Sequence, residues 1–130
     1  MTKATRGMFC FAVGVIALAG GAMAAGMFDG RYTGPQKTMV NSNRGPCQGL
    51  DHDVTVAVSN STITWPWGRG DPLVATVQAD GSFYAQVKGI QGPVGFNAVN
   101  ELKGRITAGV MEADVGGTAC QVHWSLRKTG

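Results

Sequence analysis

Residues 120–127, Cys120-Gln121-Val122-His123-Trp124-Ser125-Leu126-Arg127, alternate apolar and polar without a break. Cys120, Val122, Trp124 and Leu126 fall on one side, and Gln121, His123, Ser125 and Arg127 on the other. A period of two is what a strand buried on one face requires, whereas a helix of this sequence would scatter its apolar residues around the axis. No helical period of useful length occurs beyond residue 25, and 20 glycines argue further against helices. The chain is therefore constrained to an all-β fold.

The same alternation recurs upstream between turn signals. Strands are expected at 28–40, 53–58, 62–65, 73–78, 82–88, 99–107, 110–115 and 119–127. Hydrophobic pattern and turn length agree at each short connection, as they must when one face is buried. A two-residue turn at Asn60-Ser61 sets Val58 beside Ile63 on one face. A three-residue loop, Ala79-Asp80-Gly81, with glycine in the left-handed region, pairs Val77 with Phe83. Ala108-Gly109 sets Ile106 beside Met111. Val54, Val56 and Trp65 join these residues, with Val122, Trp124 and Leu126, in the predicted interior. Eight short strands joined by turns form a meander, and the simplest closed solution is an eight-stranded antiparallel up-and-down barrel, with a β-sandwich as the alternative.

The first residues are not read as fold. Lys3 and Arg6 form a basic lead, residues 8–18 an apolar run, and Ala22-Met23-Ala24 a small-x-small cleavage site. The run is too short to span roughly 30 Å of hydrocarbon. The expectation is a cleaved secretory signal over 1–24 and a single domain over 25–130, located in the periplasm or secreted. Lys3 and Arg6 leave with the signal, so nine of the 11 Lys and Arg remain against 8 acidic residues. That balance, with no basic run interleaved with aromatics, gives no support to a nucleic-acid partner. A membrane barrel needs strands of about 9–11 residues with an apolar exterior, and most of these strands are shorter. No transmembrane segment is expected in the mature chain, and a monomer is expected.

Removing the signal leaves two cysteines, Cys47 and Cys120, and two cysteines in an exported chain most simply pair. In a closed meander the first and last strands are neighbours. The loop carrying Cys47 and the start of the last strand then share one end, within the roughly 7 Å that a bridge allows between Cα atoms.

Phe28-Asp29-Gly30-Arg31-Tyr32-Thr33-Gly34, Cys47, Asp80-Gly81-Ser82-Phe83 and the closing Cys120-x-Val122-x-Trp124-x-Leu126 form one pattern. It resembles a group of small exported bacterial β-proteins without assigned function. The resemblance implies fold and export and carries over no catalytic residue. The layout is also similar, at the level of fold, to lipocalin- and avidin-type barrels, but the ligand-contact signature of neither is present.

The two ends of the meander differ. One has tight turns and the other the long connections 41–52, 66–72 and 89–98, and scaffolds elaborated at one end usually work there. Trp67 either finishes a strand inside the barrel or stands out as a binding aromatic. Arg69-Gly70-Asp71 matches an adhesion tripeptide that recurs by chance. Ile90 and Phe96 lie in a glycine-rich stretch that reads as a lid or as a loop tucked over the core. Trp67, Arg69, Asp71, Ile90 and Phe96 are the candidate binding residues. Asp51, His52 and Asp53 are weak metal candidates, because adjacent residues rarely converge on one ion. His123 faces outward by the alternation and reads as a solvated histidine. No nucleophile elbow, zinc-helix motif, phosphate loop or dinucleotide fingerprint occurs, so no catalytic residue or cofactor is expected. The expected function is a non-enzymatic binding module of the bacterial envelope, contacting an envelope or extracellular protein. The alternatives are a carrier of a small apolar ligand and a metal-dependent enzyme.

Overall fold

A computed structural model describes residues 26–39, 47–68, 70–91, 96–117 and 120–130. The segment read as a signal lies outside the described residues. The elements are β1 (Gly30–Thr38), β2 (His52–Val58), β3 (Thr62–Trp65), β4 (Leu73–Thr76), β5 (Ser82–Gln91), β6 (Phe96–Thr107), β7 (Val110–Gly117) and β8 (Gln121–Lys128). Six pair antiparallel in the order β2-β1-β8-β7-β6-β5, and β3 and β4 form a separate two-stranded sheet. First and last strands are neighbours, with Gln36 opposite Trp124. That is the pairing barrel closure needs.

A continuous eight-stranded ladder is not formed. Between β2 and β3 the pairing stops at the turn, where Ser59 and Thr62 bridge. Between β4 and β5 it stops at Gln78 N–H to Ser82 C=O, 2.8 Å. The β3–β4 hairpin has four residues per strand, and Pro66 and Pro72 begin and end the connection that closes it beyond Trp65 and Leu73. A proline donates no ladder hydrogen bond and fixes its own φ, which ends the β3–β4 pairing at Trp65 and Leu73.

All three tight turns form in the expected register. Asn60 and Ser61 both take left-handed backbone, φ 50° and 57°, as a two-residue hairpin turn requires. Both oxygens of the Asp29 carboxylate accept from this turn, at 2.9 Å from the N–H of Asn60 and of Ser61. Gly81 sits at φ 86°, and a Cβ there would collide with the carbonyl of Ile106. Ile106 stands opposite Met111 across the Ala108-Gly109 turn.

Of the predicted interior residues, all but Trp65 are buried. Trp65 is half-buried and packs edge-on against Trp124, ring centroids 4.9 Å apart. Tyr32, Leu73, Ala75, Ala85, Leu102, Ala113 and Val115 complete the core. Ile63, Leu73 and Ala75 enter it from the hairpin, so the small sheet covers the inner face of the large one. Each fully buried Leu, Ile or Val contributes about 1.5–3 kcal/mol.

The opening motif is structural throughout. Phe28 packs against the core, and its carbonyl accepts from the Tyr32 hydroxyl at 2.7 Å. Gly34 leaves room for the Ser125 carbonyl of β8, which a Cβ would strike.

Candidate functional site

The disulfide joins Cys47 to Cys120, with Cα atoms 5.6 Å apart. It ties the β1–β2 connection to the start of β8. Gln36 of β1 is buried, and its Nε2 donates to the Leu50 carbonyl, in the connection that carries Cys47, at 2.8 Å. Leu50, Trp65, Trp67 and Val87 pack half-buried against the core. Trp67 thus belongs to the rim of the interior, although its backbone lies beyond β3. Asp71 is exposed. Arg69 lies outside the described residues.

The connection expected over 89–98 is shorter than the sequence implies. The β5–β6 ladder continues through Ile90 opposite Asn97 and Gln91 opposite Phe96, so only residues 92–95 join the strands. Glycine at 89 obscured an alternation that runs on to Gln91. Ile90 and Phe96 are therefore strand residues by backbone rather than parts of a lid, and their side chains lie outside the described residues.

Asp51, His52 and Asp53 have separate local partners. The Asp51 carboxylate accepts the Thr38 N–H at 2.6 Å, and this hydrogen bond holds its pKa below the ordinary value. The His52 ring bonds the Asp53 carbonyl at 3.0 Å. Among the described residues, no three His, Cys, Asp or Glu side chains are grouped to hold a metal ion.

A constellation that sequence reasoning missed lies on the outer face of β7 and β8. Glu112 and Asp114 alternate outward on β7, and His123 stands between them on β8, directly opposite Asp114. Its Nδ1 is 2.7 Å from Asp114 and its Nε2 2.7 Å from Glu112. Ser125 donates to the other oxygen of Glu112 at 2.7 Å. The bond to Asp114 has the largest effect on the imidazole and raises its pKa; partial burial opposes it and Glu112 adds to it. Glu112 is lowered, first by Ser125. The hydroxyl is bound to a carboxylate rather than to the imidazole, so the group is no nucleophile–base relay. It is a charge-compensated ladder.

That ladder lines one part of an open groove of about 730 Å³, which also takes in Val74, Thr76 and Gln78 on the β4 side and Tyr84, Lys103 and Arg105 on β5 and β6. Val74 and Tyr84 are exposed at 54% and 52%. The alternation placed His123 outward, and the carboxylates at i and i+2 of the preceding strand were the available signal for its partners. No protein-family model, curated protein or solved structure matches the chain.

Proposed function

We propose that the protein is an exported, non-enzymatic binding module of the bacterial envelope that contacts a protein partner through the end carrying the disulfide and the connections around residues 41–51 and 66–72. The observation that carries this reading is a filled interior. Trp124, Tyr32, Leu102, Met111 and Leu126 are each no more than 1% exposed, and large side chains in a small barrel occupy the space a ligand would need. Function then falls to the surface, and the stapled end is where the long connections leave and re-enter the sheet. The β3–β4 hairpin is read as the last two staves of an eight-stranded barrel whose hydrogen bonding lapses on either side of it. A secretory signal over 1–24 and a periplasmic or extracellular location complete the reading, and a Cys47–Cys120 bridge suits an oxidising compartment.

The test is recovery of cross-linked partners from the envelope with wild-type protein and with Trp67→Ala and Asp71→Ala. The reading expects a defined partner whose yield falls at least several-fold in both variants. A partner retained equally by both would overturn the assignment of the surface. Native mass spectrometry of the purified protein covers the other classes: a bound apolar molecule would favour the carrier and a bound metal the enzyme.

A further inference from the structure

We propose that the interior opens at the stapled end by one layer of side chains, and that this opening takes a single uncharged apolar side chain of the protein partner. The Asn100 carboxamide then hydrogen-bonds the peptide group that carries that side chain. The inference rests on the reading of this end as the contact surface. The two ends of the interior differ in closure. At the end of the tight turns, Val58, Ile63, Val77, Ile106 and Met111 are no more than 3% exposed. At the other end Val87, on the inner face of β5 with Phe83 and Ala85, is only half-buried, as is Trp65, on the inner face of β3 with Ile63. Trp67 and Leu50, on the connections at that end, are half-buried as well. Inward side chains that solvent still reaches mark an opening.

Asn100 lies in this layer. It stands opposite Val87 on β5 and Gly117 on β7, and the Gly117 N–H donates to the Cys120 carbonyl at 2.9 Å. Asn100 shares the inner face of β6 with Leu102 and Ile106 and is 6% exposed. Gln36, the other buried amide, has two partners, whereas the Asn100 carboxamide has none among the described residues. No fully enclosed side-chain N or O among the described residues lacks a partner. The Asn100 amide is therefore not sealed in, and it borders the opening. Gly117 leaves it that room, since a Cβ there would lie 2.7 Å from Asn100 Oδ1.

Depth, charge and hydrogen bonding select the occupant. One step further in along the strands, two residues or about 7 Å, Leu102 and Val115 are 0% and 1% exposed and close the interior. That depth suits one side chain rather than an enclosed molecule. No Asp, Glu, Lys, Arg or His among the described residues is buried, so a charge inserted there would be desolvated without a counter-ion. A carboxamide both donates and accepts, as a peptide group does, and the two pair. Hydrocarbon alone would cover the amide and leave it unpaired, at its full desolvation cost. An anchor side chain in a pocket ringed by other contacts is the arrangement that carries most of the binding energy in protein interfaces.

The test begins with a library of short cyclic peptides displayed on phage and selected against the whole folded protein. Enriched loops should share one Leu, Met, Phe or Trp, and replacing it by Ala in the synthetic peptide should weaken binding at least tenfold. The peptide should shift the NMR signals of the Asn100 side-chain amide and the Trp67 indole N–H. Asn100→Leu should weaken binding at least tenfold and leave the urea midpoint unchanged or higher, because it removes a buried amide that has no partner. A lowered midpoint or loss of the fold would make Asn100 a structural residue and overturn the inference. Loops with no shared apolar residue, or binding that leaves the Asn100 amide signal unmoved, would overturn it too. Peptides that bind wild type and Asn100→Leu alike but lose affinity in Trp67→Ala would overturn it and leave the contact surface standing. An apolar molecule co-purified in the opening would overturn it in favour of a carrier.

Discussion

The indole N–H of Trp124 donates to Oε1 of Gln36 at 2.9 Å, between two strands that lie 88 residues apart in the chain. Both side chains are buried, at 0% and 3% exposure. Gln36 uses its amide N–H to reach the Leu50 carbonyl, so one polar side chain satisfies an indole and a backbone group at once. Gln36→Leu should therefore destabilise the fold by about 1–3 kcal/mol, the cost of leaving a buried donor unpaired. Trp124→Phe combined with Gln36→Leu should cost less than the sum of the two single changes, because both members of the pair are then apolar. Urea melts of the four proteins give the coupling directly. Additive costs would show that the bond contributes nothing.

Trp124→Ala is the more severe change. It removes a fully buried ring and the edge contact with Trp65, and the expected loss is about 3–5 kcal/mol. A shift in the denaturation midpoint equivalent to less than about 1 kcal/mol would place Trp124 outside the core.

Alternation made most of this interior legible. Val54, Val56 and Val58, or Val122, Trp124 and Leu126, needed only a period of two and one buried face. Gln36 did not show itself, because a polar residue on the buried face breaks the pattern that locates the face. Asp29 was visible as a motif member without a role, since the turn it caps lies about thirty residues on. The break in the ladder was also hidden. Short loops imply that neighbouring strands pair, but they do not fix how far pairing runs from the turn, and here it lapses beside the turns themselves, at Ser59–Thr62 and at Gln78–Ser82. The Glu112–His123–Asp114 ladder required knowing that β7 and β8 are adjacent and in register. Pattern gives the facing of each side chain; register decides what it meets.

The disulfide closes a loop of 73 residues of separation. Chain-entropy arithmetic for a loop of that length gives about 4 kcal/mol. Cys47→Ser with Cys120→Ser should lower stability by an amount of that order in urea. An unchanged midpoint would show that the denatured chain is already constrained near this contact.

Asp29 accepts from two successive N–H groups in a turn whose residues both hold left-handed backbone. Asp29→Ala removes both acceptors, and hydrogen bonds to a charged group are worth about 1.5–3 kcal/mol each at most in such settings. A total loss of about 2 kcal/mol is expected, together with faster amide exchange at Asn60 and Ser61. Exchange rates unchanged from wild type would remove Asp29 from the role of cap.

The last prediction concerns pH. His123 has its folded pKa raised, chiefly by the hydrogen bond to Asp114. A raised value means the folded state holds the proton more tightly than the unfolded state. The resulting stabilisation is fully present below the unfolded value, about 6.5, and is lost as pH rises through the folded value. Glu112 is lowered, so its contribution is present above the unfolded carboxylate value, about 4.3, and is lost as pH falls through its folded value. The cluster therefore stabilises most between these limits, where the imidazolium lies between two carboxylates. The other charged groups facing it are Lys37, its partner on β1, and Lys103 and Arg105, opposite Asp114 and Glu112 on β6. All three are cations and oppose protonation, and His123 is 44% exposed, so the effect is modest and weakens with salt. Urea midpoints of the wild-type protein should fall between pH 6 and pH 8 more steeply than those of His123→Gln, and the difference should shrink in 1 M salt. Parallel pH profiles for the two proteins would show that the ladder contributes no pH-dependent stability.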